Sequence, residues 1–287
     1  MRLGAHLRIS GGLDKALAAA ERLGCETMQV FAGNPNAWRE SVVPPDSAEA
    51  FRLGVTRLGL RPVVLHTAYL LNLAAPNDLV YARSVHALSS ALDRAQLLGA
   101  GYVVTHIGSH CGLGYEWGVA RIKAAVESAL SQSPGQHGLL LEAGAGAGHT
   151  IGSRFEELAD LLAALGAFSD RVGVALDTAH LWGAGYDVST SDALERLLAE
   201  FHRVVGLDRL RLIHLNDTKA ALGSRADRHW HIGQGQIGIA GFQAIVNHEA
   251  FRELPGILET PIEEPGADER NLRTLRSLRE DDAGLTW

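Results

Sequence analysis

Cysteine is nearly absent from the chain: its 287 residues hold two, Cys25 and Cys111. Two thiols cannot build a disulfide framework, and without a C-x-x-C pair a thiolate zinc site is excluded as well. Long apolar runs are missing too. No segment has the length and apolarity of a membrane span, and the opening MRLGAHLRIS lacks the apolar stretch of a secretion signal. No G-x-G-x-x-G follows the first apolar run, so a dinucleotide site has no support. These absences predict a reduced, cytoplasmic, globular protein without membrane contact. The make-up, 46% hydrophobic and 21% charged, agrees with an ordinary large core. A formal net charge of -7 counts against a nucleic-acid partner, an objection that weakens if the acids hold metal.

Histidine is plentiful by contrast, with thirteen scattered copies and no run or tag to account for them. Their placement becomes informative once the elements are located. Short apolar runs alternate with longer segments of helical spacing. The expected strands are Leu3–Leu7, Thr27–Phe31, Pro62–His66, Tyr102–Ile107, Gly138–Glu142, Val172–Asp177, Leu210–Asn216 and Gly256–Thr260. Several are apolar throughout, the mark of parallel strands buried on both faces. Ala- and Leu-rich helical stretches such as LDKALAAAERLG lie between them, several ending in Gly, and shorter helices are expected after Ser47, Ala240 and Ala267. Eight β/α units without a long linker give an α/β fold, a (β/α)8 TIM barrel, as a single domain over 1–287.

In such a barrel the chemistry lies at the C-terminal ends of the strands. Those ends, from the third strand to the eighth, carry His66, His106, Glu142, Asp177, His214 and Glu259, with His180 one step into the loop after Asp177. Each alone reads as a turn or a satisfied core residue. Together, six acids and imidazoles at one mouth would desolvate or repel one another unless cations bind them. The segment SRADRHWHIGQGQIG adds Asp227 and His229, which an extended backbone points the same way, and His231 shares that face as a rival. Nine mixed nitrogen and oxygen ligands suit two or three ions, Zn2+ first, with Mn2+ or Fe2+ as competitors. His6, His110 and His149 are read as supporting or structural neighbours.

The segments HTAYLLNLA, THIGSH, LDTAHLWGAGYD, HLNDTK, SRADRH and ILET, in this order, together with the opening LGAHLRISGGL, resemble the endonuclease IV family of apurinic/apyrimidinic endonucleases along essentially the whole chain. The resemblance implies a barrel holding three zinc ions. His66 and His106 would hold one, with Glu142 bridging to a second that Asp177, His214 and Glu259 complete. His180, Asp227 and His229 would hold the third, which favours His229 over His231 and makes the gap from Asp177 to His180 a step between neighbouring ions. Glu142 and Glu259 are carried as the catalytic carboxylates. The implied reaction is zinc-dependent hydrolysis of the phosphodiester 5′ to an abasic site in double-stranded DNA, leaving a 3′-hydroxyl, with no nucleophilic side chain. Three Zn2+ would bring the net charge from -7 to about -1. Tyr69 and Leu70 match residues that wedge into the base stack while the abasic nucleotide is flipped out. A monomer is expected.

The chain also departs from that family pattern. Asn36 stands where an Arg usually enters the DNA, and it is shorter and uncharged. LEAGAGAG brings Ala143 and Gly144 after Glu142, removing side chains that would orient it. Gln234 replaces a common Glu near the third ion. The alternative readings are a metal-dependent sugar isomerase or epimerase of the same barrel type, which would leave His180, Asp227 and His229 without a shared role, and a lesion-binding protein that does not cut.

Overall fold

The computed structural model describes residues 1–38, 42–135 and 137–280; the last seven residues of the domain expected over 1–287 lie outside the described residues. Eight parallel strands close into a barrel: β1 (Arg2–Leu7), β2 (Thr27–Phe31), β3 (Val63–His66), β4 (Tyr102–His106), β5 (Gly138–Glu142), β6 (Val172–Asp177), β7 (Leu210–Leu215) and, after a two-stranded hairpin of β8 (Asp217–Thr218) and β9 (His229–Trp230), β10 (Pro255–Leu258). The barrel runs in sequence order from β1 through β7 to β10, which pairs back onto β1. Helices α1 (Leu13–Leu23), α2 (Pro45–Leu58), α3 (Asp78–Leu98), α4 (Tyr115–Gln132), α5 (Phe155–Ala164), α6 (Thr178–Ala184), α7 (Ser191–Val204), α8 (Gly238–Asn247) and α9 (Ala267–Leu278) follow the strands. The expected TIM barrel is the observed fold. Among the described residues no helix is long and apolar enough to cross a membrane.

The side-chain alternation of a strand explains how one barrel carries both a dry core and a polar mouth. Outward residues such as Leu3, Val30, Leu65, Val103, Leu141 and Val174 join the helices in one large apolar cluster. Their inward neighbours Val64, Val104, Leu140, Ala175, Leu212 and Ile257 form a second, wholly buried cluster that fills the barrel interior. Two residues further along the same strands come His66, His106, Glu142, Asp177, His214 and Glu259. One layer of hydrocarbon is therefore the floor on which the polar ring rests.

Gly4 lets β1 approach β2. A Cβ there would meet the Thr27 carbonyl oxygen at 2.0 Å, and β2 could relieve the clash only by moving. Gly4→Ala is therefore expected to destabilise the fold by about 1–3 kcal/mol, the usual range for overpacking, measured as a lower urea midpoint.

Element boundaries differ from the sequence expectation in instructive places. Ile107 and Asn216 fall just outside β4 and β7, and β10 stops at Leu258, so Glu259 stands one residue beyond its strand. α2 begins at Pro45, earlier than Ser47, because proline at the first helical position has a preset φ and lacks an N–H that would go unused. α8 likewise begins at Gly238 rather than after Ala240. The larger correction concerns Asp177 and His180. The sequence reading puts His180 on a loop, but Thr178–Ala184 is a helix that Asp177 caps, its Oδ1 accepting from the N–H groups of Ala179 at 2.7 Å and His180 at 3.0 Å.

Candidate metal centre

Glu142 lies at the centre of the ring and is 1% exposed. His66 Nε2 approaches its Oε2 to 3.0 Å, with His106 Nδ1 at 3.8 Å, while His214 Nδ1 at 3.1 Å and His180 Nδ1 at 3.4 Å face Oε1. β4 and β5 pair His106 directly with Glu142, and β6 and β7 pair Asp177 with His214. The strand register itself thus brings these donors together. His214 Nδ1 also faces Glu259 Oε2 at 3.4 Å and Asp177 Oδ2 at 3.9 Å.

On the far side, Asp227 meets His180 Nε2 at 3.2 Å and His229 Nε2 at 3.1 Å, and His229 Nε2 stands 3.6 Å from Asp177 Oδ2. Among the described residues, three groups emerge in which all donor atoms lie within 4.8 Å of one another: His66, His106 and Glu142; Glu142, Asp177, His214 and Glu259; and Asp177, His180 and His229. Glu142 belongs to the first two groups and Asp177 to the last two. Asp177 thus faces both the group that contains His214 and the group that contains His180.

Several imidazoles are oriented by backbone. Nδ1–H of His66 donates to the Thr67 carbonyl at 2.7 Å, that of His180 to the Ala143 carbonyl at 3.0 Å, and that of His229 to the Glu259 carbonyl at 3.0 Å. In each ring Nε2 is then the nitrogen left for the mouth. Ala143 therefore contributes through its main chain, which softens the consequence of losing a larger side chain at that position.

The electrostatics match four carboxylates interleaved with five imidazoles. Burial pushes Glu142 up, but the rings of His106, His214 and His66 outweigh it and hold its carboxyl well below the usual range. Glu259 and Asp227 are likewise held low by neighbouring imidazoles against burial. Burial pushes His214 and His229 down, yet nearby carboxylates, chiefly Glu259 and Glu142 for the first and Asp177 and Asp227 for the second, raise them to about 9 and about 10. His180 is raised well above its ordinary value by Asp177, Asp227 and Glu142. A histidine whose folded pKa is raised contributes stability that is complete below its unfolded value of 6.5 and is lost as pH rises through the folded value. The metal-free protein is accordingly expected to lose stability from pH 6.5 up to about 10, which denaturant melts across that window would measure.

The remaining candidates divide. His231 is buried away from the ring, with Asn271 Nδ2 donating to its Nδ1 at 3.1 Å, so His229 and not His231 faces the carboxylates. His110 and His149 pack ring to ring at 5.1 Å and enter none of the three groups. His6 Nδ1 lies 2.7 Å from Glu259 Oε1, a supporting position. Gln234 is exposed, its backbone N–H donating to the His231 carbonyl. Tyr69 is 59% and Leu70 37% exposed at the rim, and the Tyr69 ring meets Phe31 edge-on at 5.1 Å. The Tyr69 N–H donates to the Pro35 carbonyl at 3.2 Å, which seats the exposed Asn36 in the same wall.

Three residues that sequence reasoning passes over also support the ring. Asn216 Nδ2 donates to Asp177 Oδ2 at 2.6 Å, while its Oδ1 accepts from the Glu259 N–H at 2.9 Å. Asp217 is fully buried and accepts from the backbone N–H groups of Thr218, Gly235, Ile237 and Gly238, pinning the segment that follows His229. Gln29, also fully buried, contacts His6, His214 and Glu259. The signal for Gln29 is a lone amide inside the apolar run TMQVF, on the inward face and paired with His6.

Residues 17–280 match the family model described as a xylose isomerase-like TIM barrel. The probable endonuclease 4 of Chloroflexus aurantiacus is 44% identical over 279 residues, covering 96% of this chain and 98% of that protein. The crystal structure of endonuclease IV from Thermus thermophilus superposes with a TM-score of 0.86 at 38% identity, covering 97% of this chain and 98% of that one. A putative xylose isomerase from Rhodospirillum rubrum gives a TM-score of 0.74 at 16% identity, covering 96% and 99%, which is a likeness of fold alone.

Proposed function

Because the chain belongs to the endonuclease IV family, and is thus a DNA-repair nuclease by kinship, we propose that it hydrolyses the phosphodiester 5′ to an abasic site in duplex DNA, using three zinc ions and leaving a 3′-hydroxyl. One observation carries the reading: the three donor groups are contiguous, joined through Glu142 and Asp177. A sugar isomerase or epimerase would leave the His180, Asp227 and His229 corner without a shared role.

The donor set fits the metal. It holds imidazole and carboxylate and no thiol, as zinc and its competitors Mn2+ and Fe2+ accept. His229 Nε2 is buried without a hydrogen-bond partner although carboxylate oxygens of Asp227 and Asp177 lie close, as suits a lone pair reserved for a cation. His66, His106 and Glu142 would hold one ion, Glu142, Asp177, His214 and Glu259 a second, and His180, Asp227 and His229, with Asp177, a third. Bound zinc supplies polarisation of the phosphoryl group, charge for the leaving oxygen and water acidic enough to attack near neutral pH.

The chain's own residues guide the DNA to that ring. A groove of about 730 Å3 runs from His6 and Glu259 to Asn36 and Tyr69. Tyr69, braced by Phe31, and the neighbouring Leu70 are both exposed, and they would enter the stack opened by the lesion. Among the described residues, Arg8 is the Lys or Arg that lines this groove. Glu263 and Asp268 are also there, so a phosphate in this groove leans on Arg8. Asn36→Arg would add a cation to this groove. It is expected to raise affinity for abasic duplex about tenfold and to steepen the salt dependence by about one unit, measured by fluorescence anisotropy at several salt concentrations. Unchanged binding would show that the groove does not need the charge.

The decisive experiment is incubation of the zinc-loaded protein with a duplex bearing one abasic-site analogue. A nick 5′ to the lesion with a 3′-hydroxyl that a polymerase extends is expected. No nick at any zinc, manganese or iron loading, with the duplex still bound, would support the lesion-binding alternative instead. We further propose that the protein acts as a monomer in the cytoplasm, where its free thiols Cys25 and Cys111 stay reduced.

A further inference from the structure

His66, His180 and His229 each have Nδ1–H tied to a backbone carbonyl, which leaves Nε2 for the mouth. His214 is set the other way round. Its Nδ1 faces Glu142, Asp177 and Glu259, and its Nε2 lies 3.0 Å from Gln29 Oε1. A side chain from another strand therefore does for His214 what the main chain does for the other three.

The orientation of the Gln29 amide follows from its surroundings. Glu259 Oε1 lies 2.6 Å from Gln29 Nε2. Turned over, the amide would set its oxygen against a carboxylate at that distance, so the nitrogen must face Glu259 and the oxygen His214. His214 Nε2–H then donates to Gln29 Oε1, so that Nδ1 is the nitrogen that would give up its proton and offer a lone pair to an ion. Glu259 is constrained at the same time. Its Oε1 takes both Gln29 Nε2–H and His6 Nδ1 at 2.7 Å, leaving Oε2, 3.4 Å from His214 Nδ1, as the oxygen turned to the ring. Gln29 has 0% exposure, so no water competes for either bond.

We propose that Gln29 is a positioning residue that selects Nδ1 of His214 and a single oxygen of Glu259 as donor atoms, and thereby sets the affinity of the Glu142, Asp177, His214 and Glu259 group for its ion. The proposal rests on the ring holding metal and not on the DNA substrate. Loss of such an orienting partner typically weakens metal binding about 10- to 100-fold.

The test is titration of metal-free protein with Zn2+ against a competing chelator, comparing wild type, Gln29→Met and Gln29→Glu. Methionine keeps the length and removes both hydrogen bonds. Glutamate keeps an acceptor for His214 but sets a charge against Glu259. Wild type is expected to take three ions. In Gln29→Met two should bind as in wild type and one about 10- to 100-fold more weakly, with the Co2+ absorption spectrum altered and nicking restored as free Zn2+ is raised. Gln29→Glu should weaken the same ion, and it supplies the result if Gln29→Met does not fold. Three ions bound by either variant with wild-type affinity would overturn the proposal. Wild type that binds three ions but never nicks DNA would overturn the proposed reaction and leave Gln29's role to be decided by the same titration. Wild type that binds none would overturn both.

Discussion

Glu142→Gln is expected to lower nicking of an abasic duplex by more than about 100-fold, beyond the loss caused by removing a mere orienting partner. The two side chains have the same shape, so the change isolates charge and donor chemistry. In the wild-type ring Oε2 serves His66 and His106, while Oε1 serves His214 and His180. An amide replaces one of these oxygens with an N–H2 group, which repels a cation on that side, and it removes the negative charge shared by two donor groups. Both ions should therefore bind more weakly, and metal analysis should find fewer than the wild-type number per chain. The fold should survive, because a neutral amide is cheaper to bury than a carboxylate and the apolar layer beneath is untouched. Circular dichroism and melting would confirm that. Cleavage near the wild-type rate by a folded Gln variant would mean that Glu142 joins no pair of ions.

Stripping the metal with a chelator should have the next largest effect. An ion present at a thousandfold excess over its dissociation constant stabilises the native state by about 4 kcal/mol. A chain of this length shifts its midpoint by roughly 2–4 °C per kcal/mol, so each tight ion should contribute on the order of 10 °C. Protons partly substitute for the metal, since carboxylates raise His214 and His229 to about 9 and about 10 in its absence. The gap between loaded and stripped protein should therefore widen as pH rises from 6.5 towards 9. Melting curves with and without chelator at several pH values would measure it. Identical curves throughout would contradict a metal-loaded native state.

Much of the ring can be read from strand ends because the sequence announces them twice. Val64 and His66, Leu140 and Glu142, Leu212 and His214 each place hydrocarbon and then a polar group on one inward face. Residues whose roles depend on what faces them across the barrel stay hidden. Gln29 passes for an isolated polar residue in a strand, and Asn216 for the last residue of one. The helix Thr178–Ala184 escapes because seven residues show too little periodicity to separate from a turn. The sharing of Asp177 between two groups follows from where the 219–228 loop returns His229, which no local pattern encodes.

The stacked layers of the barrel also bear on how such a site can change. Over the last residues of the strands, beyond the register shift between β6 and β7 at Val174 and Ala175, inward and outward positions alternate, so a single-residue insertion or deletion there would swap the polar end of the strand for a helix-facing hydrocarbon. The floor and the ring would fail in the same event. Tolerated variation is therefore confined to two kinds: exchange of a side chain at a strand end or in the loop beyond it, and change in the length of those loops. Ala143, directly after β5, and Asn36 and Gln234, within loops, are all of the first kind, and all lie outside the strands' inward ladder. The barrel acts as a parity check on its own active site, passing substitutions and rejecting slips.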